Sequence, residues 1–220
     1  YREKGYFNEA FINMLAFLGW NPGDAQEIFS LKSLIEAFSL ERVGKSGAKF
    51  DPDKTKWFNQ QYLRAKSNSE LANLIAENTS YSTNIDYLEG VAGLMKERAS
   101  FVEELVADDY FFVSPKNYDQ KTLRKKWKAT TAQNMELLKD ELSSLEQFTA
   151  DNIETCFKSY LEKNELGMGA ALPNFRLLVT GKGMGPSMFQ IAALIGKNEV
   201  ISRFENGISK IQAIKEQPTI

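Results

Sequence analysis

Three short stretches of the sequence combine cations with glycines or with a helix, and each of them could bind an anion. The first, residues 44–49, reads GKSGAK, and its two lysines and flexible backbone suit contact with a phosphate chain. The second, residues 121–128, reads KTLRKKWK, which is either a solvated helix face or a surface for backbone phosphates, and the sequence leaves both open. The third, residues 181–187, reads GKGMGPS. It lacks the Gly-x-x-x-x-Gly-Lys-Ser/Thr order of a nucleotide loop after a strand, so it predicts a turn between two helices.

Several kinds of catalytic site are excluded by composition. The chain has 220 residues, no histidine and one cysteine, Cys156. Histidine-dependent triads, imidazole proton shuttles, histidine-based zinc sites and disulfides are therefore absent. Cys156 stands among Ile153, Phe157 and Tyr160 on the apolar face of a predicted helix, so we interpret it as a buried structural thiol and not as a nucleophile.

The overall charge does not indicate nucleic-acid binding. The 27 lysines and arginines are balanced by 29 acidic residues, which gives a net charge of -2. Any contact with a polyanion must therefore come from local clusters. The chain has no apolar run of membrane-spanning length and no recognisable signal peptide, and it begins at Tyr1, so we expect a piece of a larger cytoplasmic protein that does not enter a membrane.

Helix signals follow one another along the chain, whereas alternating strand patterns are nearly missing. Asp51-Pro52-Asp53 predicts a helix over 52–64, and Ser67 to Glu70 forms a capping box. A long amphipathic helix is predicted from Ile85 to Leu105. Further helices are predicted at 131–145, at 151–162 with Thr149 as its cap, and at 173–180, 186–195 and 198–214. We therefore predict an all-α protein of stacked short helices.

The chain resembles the carboxy-terminal half of bacterial-type glutamyl-tRNA synthetases. The resemblance rests on SGAKFD followed by a helix with Lys54, Trp57, Asn59 and Tyr62, on GYFNEAFINMLAFLGWNPGDAQEIFS at 5–30, and on RLLVTGKGMGPSMFQIAALIGK at 176–197. These segments occur in the family's order. The resemblance implies a helical anticodon-binding domain of the class I synthetase type, with 1–66 the end of a stem-contact region, and 67–107 and 108–220 two helical anticodon-binding subdomains.

The resemblance also implies particular contacts with glutamate tRNA. Arg98 matches a family position that reads the last anticodon base, and an arginine fork suits that task. Arg176, Pro186 and Met188 match positions that line the pocket for the anticodon bases. The remaining expected contacts are cations that meet the tRNA backbone: Lys45, Lys49, Lys121, Arg124, Lys125 and Lys128.

A glutamyl-tRNA synthetase attaches glutamate to tRNA with ATP and Mg²⁺, but the family's two catalytic signature motifs are missing here. We therefore expect no catalytic residue, metal ligand or cofactor in this chain, which should act as a monomer on tRNA and not on DNA.

Two alternatives from other functional classes remain. One is a helical protein-interaction module without tRNA binding, which the acidic average suggests. The other is a self-contained enzyme, which the missing histidine and nucleotide loop disfavour.

Overall fold

The computed structural model describes residues 1–45, 47–81 and 84–216 of the chain. Ser46 of the predicted lysine loop, and Ser82 and Thr83 before the predicted long helix, lie outside these ranges. Within them the structure is helical without a strand, apart from one isolated bridge between Trp20 and Val43, which confirms the all-α prediction. The chain forms two compact units that divide between Ala107 and Asp108. None of the described helices has the length and apolar character that a membrane crossing requires.

The first unit contains five of the described α-helices. They are α1 (Asn8–Phe17), α2 (Leu31–Ala37), α3 (Pro52–Ala65), α4 (Asn68–Asn78) and α5 (Ile85–Met95). The predicted caps of α3 and α4 are confirmed. The carboxylate of Asp51 accepts hydrogen bonds from the backbone N–H groups of Asp53 and Lys54, and Ser67 and Glu70 form both bonds of a capping box. Such caps satisfy backbone donors that a helix start leaves without partners.

Helix α3 holds the first unit together through apolar and polar side chains. Phe58 and Leu63 are fully buried, and so is the amide of Asn59. The Asn59 amide accepts a hydrogen bond from the N–H of Phe7 at 2.8 Å and donates one to the carbonyl of Ser100 at 2.6 Å. A buried amide is tolerated when it is hydrogen-bonded in this way, and here it connects both ends of the unit to α3.

The prediction of one helix from Ile85 to Leu105 is wrong, because α5 ends at Met95 and a separate 3₁₀ helix covers Val102–Val106. Side chains of α3 take up backbone groups that a continuous helix would need. Arg64 donates to the carbonyl of Glu97 at 2.6 Å, and Asn59 binds the carbonyl of Ser100. The carboxylate of Glu104 accepts from the N–H of Ser100 at 2.7 Å. The chain therefore turns between the two helical segments.

The second unit contains the remaining described α-helices. They are α6 (Gln120–Lys126), α7 (Thr131–Ser143), α8 (Ala150–Lys163), α9 (Met168–Thr180), α10 (Met188–Ile195) and α11 (Lys197–Glu216). Helix α9 is enclosed by the others, and Phe175, Leu177 and Leu178 on it are fully buried. The predicted cap of α8 is confirmed, since Thr149 accepts a hydrogen bond from the N–H of Asn152.

Helix α9 begins earlier than predicted, at Met168, and contains Pro173 in its interior. A proline there has no N–H for the carbonyl four residues back, and helices usually avoid that loss. In this protein the carbonyl concerned is that of Gly169, and the ammonium of Lys126 donates to it at 2.9 Å. The helix can therefore pass through the proline, because a lysine from α6 replaces the missing donor.

Candidate nucleic-acid interface

Helix α6 carries a row of exposed cations on a fixed backbone. Asp119 caps the helix by accepting a hydrogen bond from the N–H of Thr122 at 2.7 Å, and Leu123 and Trp127 bury the inner face. Hydrogen bonds from the side-chain hydroxyl of Thr122 and from its backbone N–H hold the pKa of the Asp119 carboxyl below its ordinary value. Three predicted contact residues, Lys121, Arg124 and Lys125, are exposed on the outer face of the helix, and the fourth, Lys128, is exposed two residues after the helix ends. We call these four residues the α6 cationic face.

Several lysines on the other helices of the second unit form salt bridges with neighbouring carboxylates, whereas the α6 cationic face does not. Lys139 contacts Glu136 at 2.9 Å, Lys158 contacts Glu154 at 2.6 Å, and Lys163 contacts Glu141 at 3.1 Å. In the described part of the chain, no member of the α6 cationic face lies within salt-bridge distance of a carboxylate. Its positive charge is therefore available to an external anion despite the acidic average of the sequence.

The turn at 181–187 joins α9 to α10, as predicted. Gly181 ends α9 with φ near 70°, a left-handed conformation that favours glycine, and its carbonyl accepts a hydrogen bond from the N–H of Asp119 at 2.8 Å. Ser187 then caps α10 by accepting a bond from the N–H of Gln190. The turn therefore lies directly beside the start of α6.

Arg176 lies beneath this turn and is partly buried. Its guanidinium donates a hydrogen bond to the carbonyl of Pro186 at 2.6 Å, so one of its donors holds the turn in place. Pro186 is buried, and the side chain of Met188 is only 2% exposed. The structure thus brings the three predicted pocket residues together and places two of them below the protein surface. Their contact with anticodon bases stays a prediction.

Arg203 supports the same region from inside the second unit, and sequence reasoning missed it. Its side chain is 1% exposed and forms a 2.7 Å ion pair with Glu199. It also donates to the carbonyls of Tyr110 and Val179, at 2.7 and 2.8 Å. The second carbonyl belongs to the last turn of α9, so Arg203 fixes the point at which the chain enters the 181–187 turn. The four-residue spacing of Glu199 and Arg203 indicates an ion pair on one helix face, but nothing in the sequence indicates that the Arg203 side chain is buried.

Two predicted phosphate contacts, Lys45 and Lys49, lie on an exposed loop of the first unit. The loop is attached to the preceding chain by a 2.6 Å hydrogen bond from the N–H of Gly44 to the carbonyl of Gly19. In the described ranges neither lysine is in salt-bridge contact, whereas the nearby Lys56 pairs with Glu104 at 3.3 Å. Both lysines are therefore placed to meet an anion, and that role stays a prediction.

Arg98 is exposed, but it lies in the turn after α5 and not on a helix as expected. Its N–H donates to the carbonyl of Met95 at 2.8 Å. The same turn is held by Arg64, which contacts the Glu97 carboxylate at 3.2 Å. The backbone at Arg98 is thus fixed from α3. The structure places Arg98 in the first unit and Arg176 in the second.

The described residues contain no group of three histidine, cysteine, aspartate or glutamate side chains that could hold a metal ion. Cys156 lies on α8 and is partly buried, less than the sequence suggested. Burial raises the pKa of its thiol, and the negative charge of Glu141 raises it further. A thiol in this state is a poor nucleophile at neutral pH, because little of it is ionised.

Comparisons with known proteins agree with the observed architecture. A family model described as the anticodon binding domain matches residues 60–208, and one described as the catalytic domain of class I tRNA synthetases (E and Q) matches residues 1–57. The second match includes most of the segment that we assigned to the stem-contact region. The sequence is 49% identical to a glutamate–tRNA ligase from Flavobacterium psychrophilum and 42% identical to one from Phocaeicola vulgatus.

Solved structures give the same result. A crystal structure of a glutamate tRNA ligase from Elizabethkingia meningosepticum in complex with its amino acid matches with a TM-score of 0.90 and 41% identity. The match covers 96% of this chain and 43% of that one, the same shares as for the Flavobacterium psychrophilum relative. The chain therefore spans less than half the length of the relatives it matches. Because the anticodon-binding model covers more than half of its residues, the chain belongs to the anticodon-binding-domain family, and it is homologous to glutamate–tRNA ligases.

Proposed function

We propose that the chain binds glutamate tRNA at the anticodon arm as part of a glutamate–tRNA ligase. The observation that carries the proposal is the α6 cationic face, which lies inside the region matched by the anticodon-binding model and forms no salt bridge in the described structure. Cations on a rigid helix release counterions from a phosphate backbone when they bind it. The names of the relatives support the choice of a glutamate tRNA.

The proposal divides the contacts by their chemistry. The α6 cationic face, Lys45 and Lys49 are point charges that meet phosphates, so they give affinity without base selectivity. Arg98 and Arg176 supply planar guanidinium groups that can read base edges or stack on bases. Pro186 and Met188 shape the turn next to Arg176. The domains proposed for these roles are 1–66 for the stem contact and 67–107 and 108–220 for the anticodon arm.

The whole enzyme, by this proposal, acts in the cytoplasm as a monomer and attaches glutamate to tRNA with ATP and Mg²⁺. The names of the relatives support the ligase activity. We propose that this chain by itself does not catalyse that reaction, and that its partner is tRNA and not DNA. The chain's contribution would be to hold the anticodon arm.

The test is tRNA binding by the purified chain over a salt series from about 50 to 200 mM, where phosphate contacts weaken steeply. Lys121→Gln and Lys125→Gln should each lower the slope of log affinity against log salt by about 0.7 to 0.9, the value for one phosphate that is no longer neutralised. Lys158→Gln is the matched control, since it removes the same charge from a lysine that is already paired with Glu154. Binding with no salt dependence, or equal slopes for all three variants, would contradict the proposal and favour a protein-interaction module.

A further inference from the structure

A small pocket lies where the end of α6, the start of α7 and the first turns of α9 meet, and none of its lining residues belongs to the 181–187 turn. Its volume is about 110 Å³, well below the roughly 300 to 1,000 Å³ of small-ligand pockets, so it can take a group of a few atoms and not a whole nucleotide. Its polar lining consists of Lys126, Lys128, Thr130, Thr131, Asn134 and Asn174. We call it the Asn174 pocket.

Asn174 brings an unused acceptor to this pocket. Its side chain is almost wholly buried, with 1% of its surface exposed. Its amide nitrogen donates to the carbonyl of Ala170 at 2.7 Å and to that of Lys126 at 3.2 Å. Because both partners are acceptors, the orientation of the amide is fixed, and the oxygen Oδ1 is its remaining polar atom. Among the described residues Oδ1 has no hydrogen-bond partner, so a donor from a ligand would satisfy it.

The start of α7 lines the same pocket and suits an anion. Thr130 precedes this helix, and its side chain makes no capping hydrogen bond. The first N–H groups of a helix have no partners within it, and they form the positive end of the helix dipole. Lys128 is exposed and, within the described ranges, forms no salt bridge. Its backbone is held by a 2.9 Å hydrogen bond from its N–H to the hydroxyl of Thr131. The pocket therefore combines donors for an anion with one buried acceptor.

An RNA backbone offers the complementary combination. Each ribose carries a 2′-hydroxyl, which can donate a hydrogen bond, beside the phosphate on its 3′ oxygen. A phosphodiester group alone has only acceptors, so it would occupy the start of α7 and leave Oδ1 of Asn174 without a donor. DNA has the phosphate but lacks the hydroxyl. The pair of groups in the pocket thus fits a ribose and its phosphate better than a phosphate by itself.

We propose that the Asn174 pocket binds one ribose-phosphate unit of the tRNA backbone. The 2′-hydroxyl donates to Oδ1 of Asn174, and the 3′-phosphate lies on the start of α7 and on Lys128. The inference rests on the proposed function and adds to it a contact that distinguishes RNA from DNA without reading a base.

The experiment measures binding of an anticodon-arm stem-loop of glutamate tRNA in which each ribose in turn carries a 2′-fluoro group. Fluorine keeps the sugar conformation of RNA but cannot donate a hydrogen bond. One position should lower the affinity of wild type by about two- to tenfold, the range for one neutral hydrogen bond. At that position the substitution should have no further effect on Asn174→Leu and its full effect on Asn164→Leu. Asn164 is the matched control, because its amide also donates to a carbonyl four residues earlier, that of Tyr160 at 2.8 Å, but does not line the pocket.

A second measurement tests the phosphate without altering the core, so it remains decisive if Asn174→Leu does not fold. Replacing the phosphate 3′ of the sensitive ribose by an uncharged methylphosphonate should weaken wild type and Lys158→Gln equally and Lys128→Gln much less. Lys158 is the control lysine because it is already paired with Glu154.

The outcomes separate this inference from the proposed function. Failure of wild type to bind the stem-loop would reject the proposed function itself. Wild-type binding that no 2′-fluoro group weakens would reject only the Asn174 pocket. The same holds for a 2′-fluoro effect that is undiminished in Asn174→Leu, or a methylphosphonate effect that is undiminished in Lys128→Gln.

Discussion

Replacing Arg203 by methionine should destabilise the second unit more than any exposed charge replacement. Methionine fills much of the same space but removes every donor. The carbonyls of Tyr110 and Val179 then lose their bonds to the guanidinium, and both residues are essentially inaccessible to water. Each buried acceptor left without a donor costs about 1 to 3 kcal/mol. The loss of the ion pair with Glu199 adds less to the free-energy cost, because the Glu199 side chain is 42% exposed and can be rehydrated. We expect a total loss of about 3 kcal/mol.

The assay is urea unfolding followed by circular dichroism, with hydrogen exchange to show where protection is lost. For slopes of about 1 to 3 kcal/mol per molar urea, a loss of this size lowers the midpoint by roughly 1 to 3 M. Lys158→Met is the control, because it breaks a Glu–Lys pair with the same four-residue spacing at the surface. It should cost about 0.3 to 0.5 kcal/mol. If Arg203→Met cost no more than the control, the two carbonyls could not depend on Arg203 as described.

Three further predictions concern acid stability, thiol reactivity and catalysis. Burial alone would raise the pKa of Glu199, but the hydrogen bonds from Ser114 and Arg203 and the charge of Arg203 together lower it. In urea unfolding, wild type should therefore have a higher free energy of unfolding than Glu199→Gln. The difference should be constant above the ordinary pKa of 4.5 and should shrink as pH falls below it. A difference that grows as pH falls would contradict this prediction. Because the pKa of the Cys156 thiol is raised, Cys156 should react with iodoacetamide more slowly than glutathione does at about pH 7.5, and its rate should increase as pH rises. A rate above that of glutathione would contradict this prediction. The pure chain should show no glutamate-dependent pyrophosphate exchange, and any such exchange would refute its catalytic silence.

Local signals in the sequence predicted much of the fold. The caps at Asp51, Ser67 and Thr149 are short-range hydrogen bonds between a side chain and the next turn of backbone, and the structure contains all three. The helix type follows from the apolar spacing. These features depend on a few consecutive residues, so no knowledge of the tertiary structure is needed to predict them.

The two errors in the predicted helix bounds, at the end of α5 and at the start of α9, have long-range causes. Helix α5 ends early because Asn59 and Arg64 bind carbonyls that lie 41 and 33 residues away in the sequence. Helix α9 passes through Pro173 because Lys126, 43 residues before Gly169, supplies a donor. A single sequence does not reveal which distant side chain will bind a given backbone group. The apolar spacing after Ile85 therefore predicted too long a helix, and Pro173 predicted too late a start for α9.

The candidate site was predicted in part by charge and in part by resemblance. Exposure of Lys121 and Lys125 follows from the apolar positions of Leu123 and Trp127 on α6. That these two lysines form no salt bridge in the described structure could not be predicted, because carboxylates from several elements could have paired with them. The 85% exposure of Met184 and the burial of Arg203 both contradict the usual behaviour of these residue types, and only the tertiary structure shows them.

The central claim is that this chain recognises the anticodon of glutamate tRNA, and base selectivity tests it most directly. The measurement is the affinity of wild type and Arg98→Lys for glutamate tRNA and for the same tRNA with one anticodon base altered. Lysine keeps the charge of Arg98 but loses the planar fork, so the variant should lose about 1 to 3 kcal/mol on the cognate tRNA and almost nothing on the altered one. Equal affinity of the wild-type chain for the two tRNAs would contradict anticodon recognition, and equal losses by Arg98→Lys on both would make Arg98 a phosphate contact.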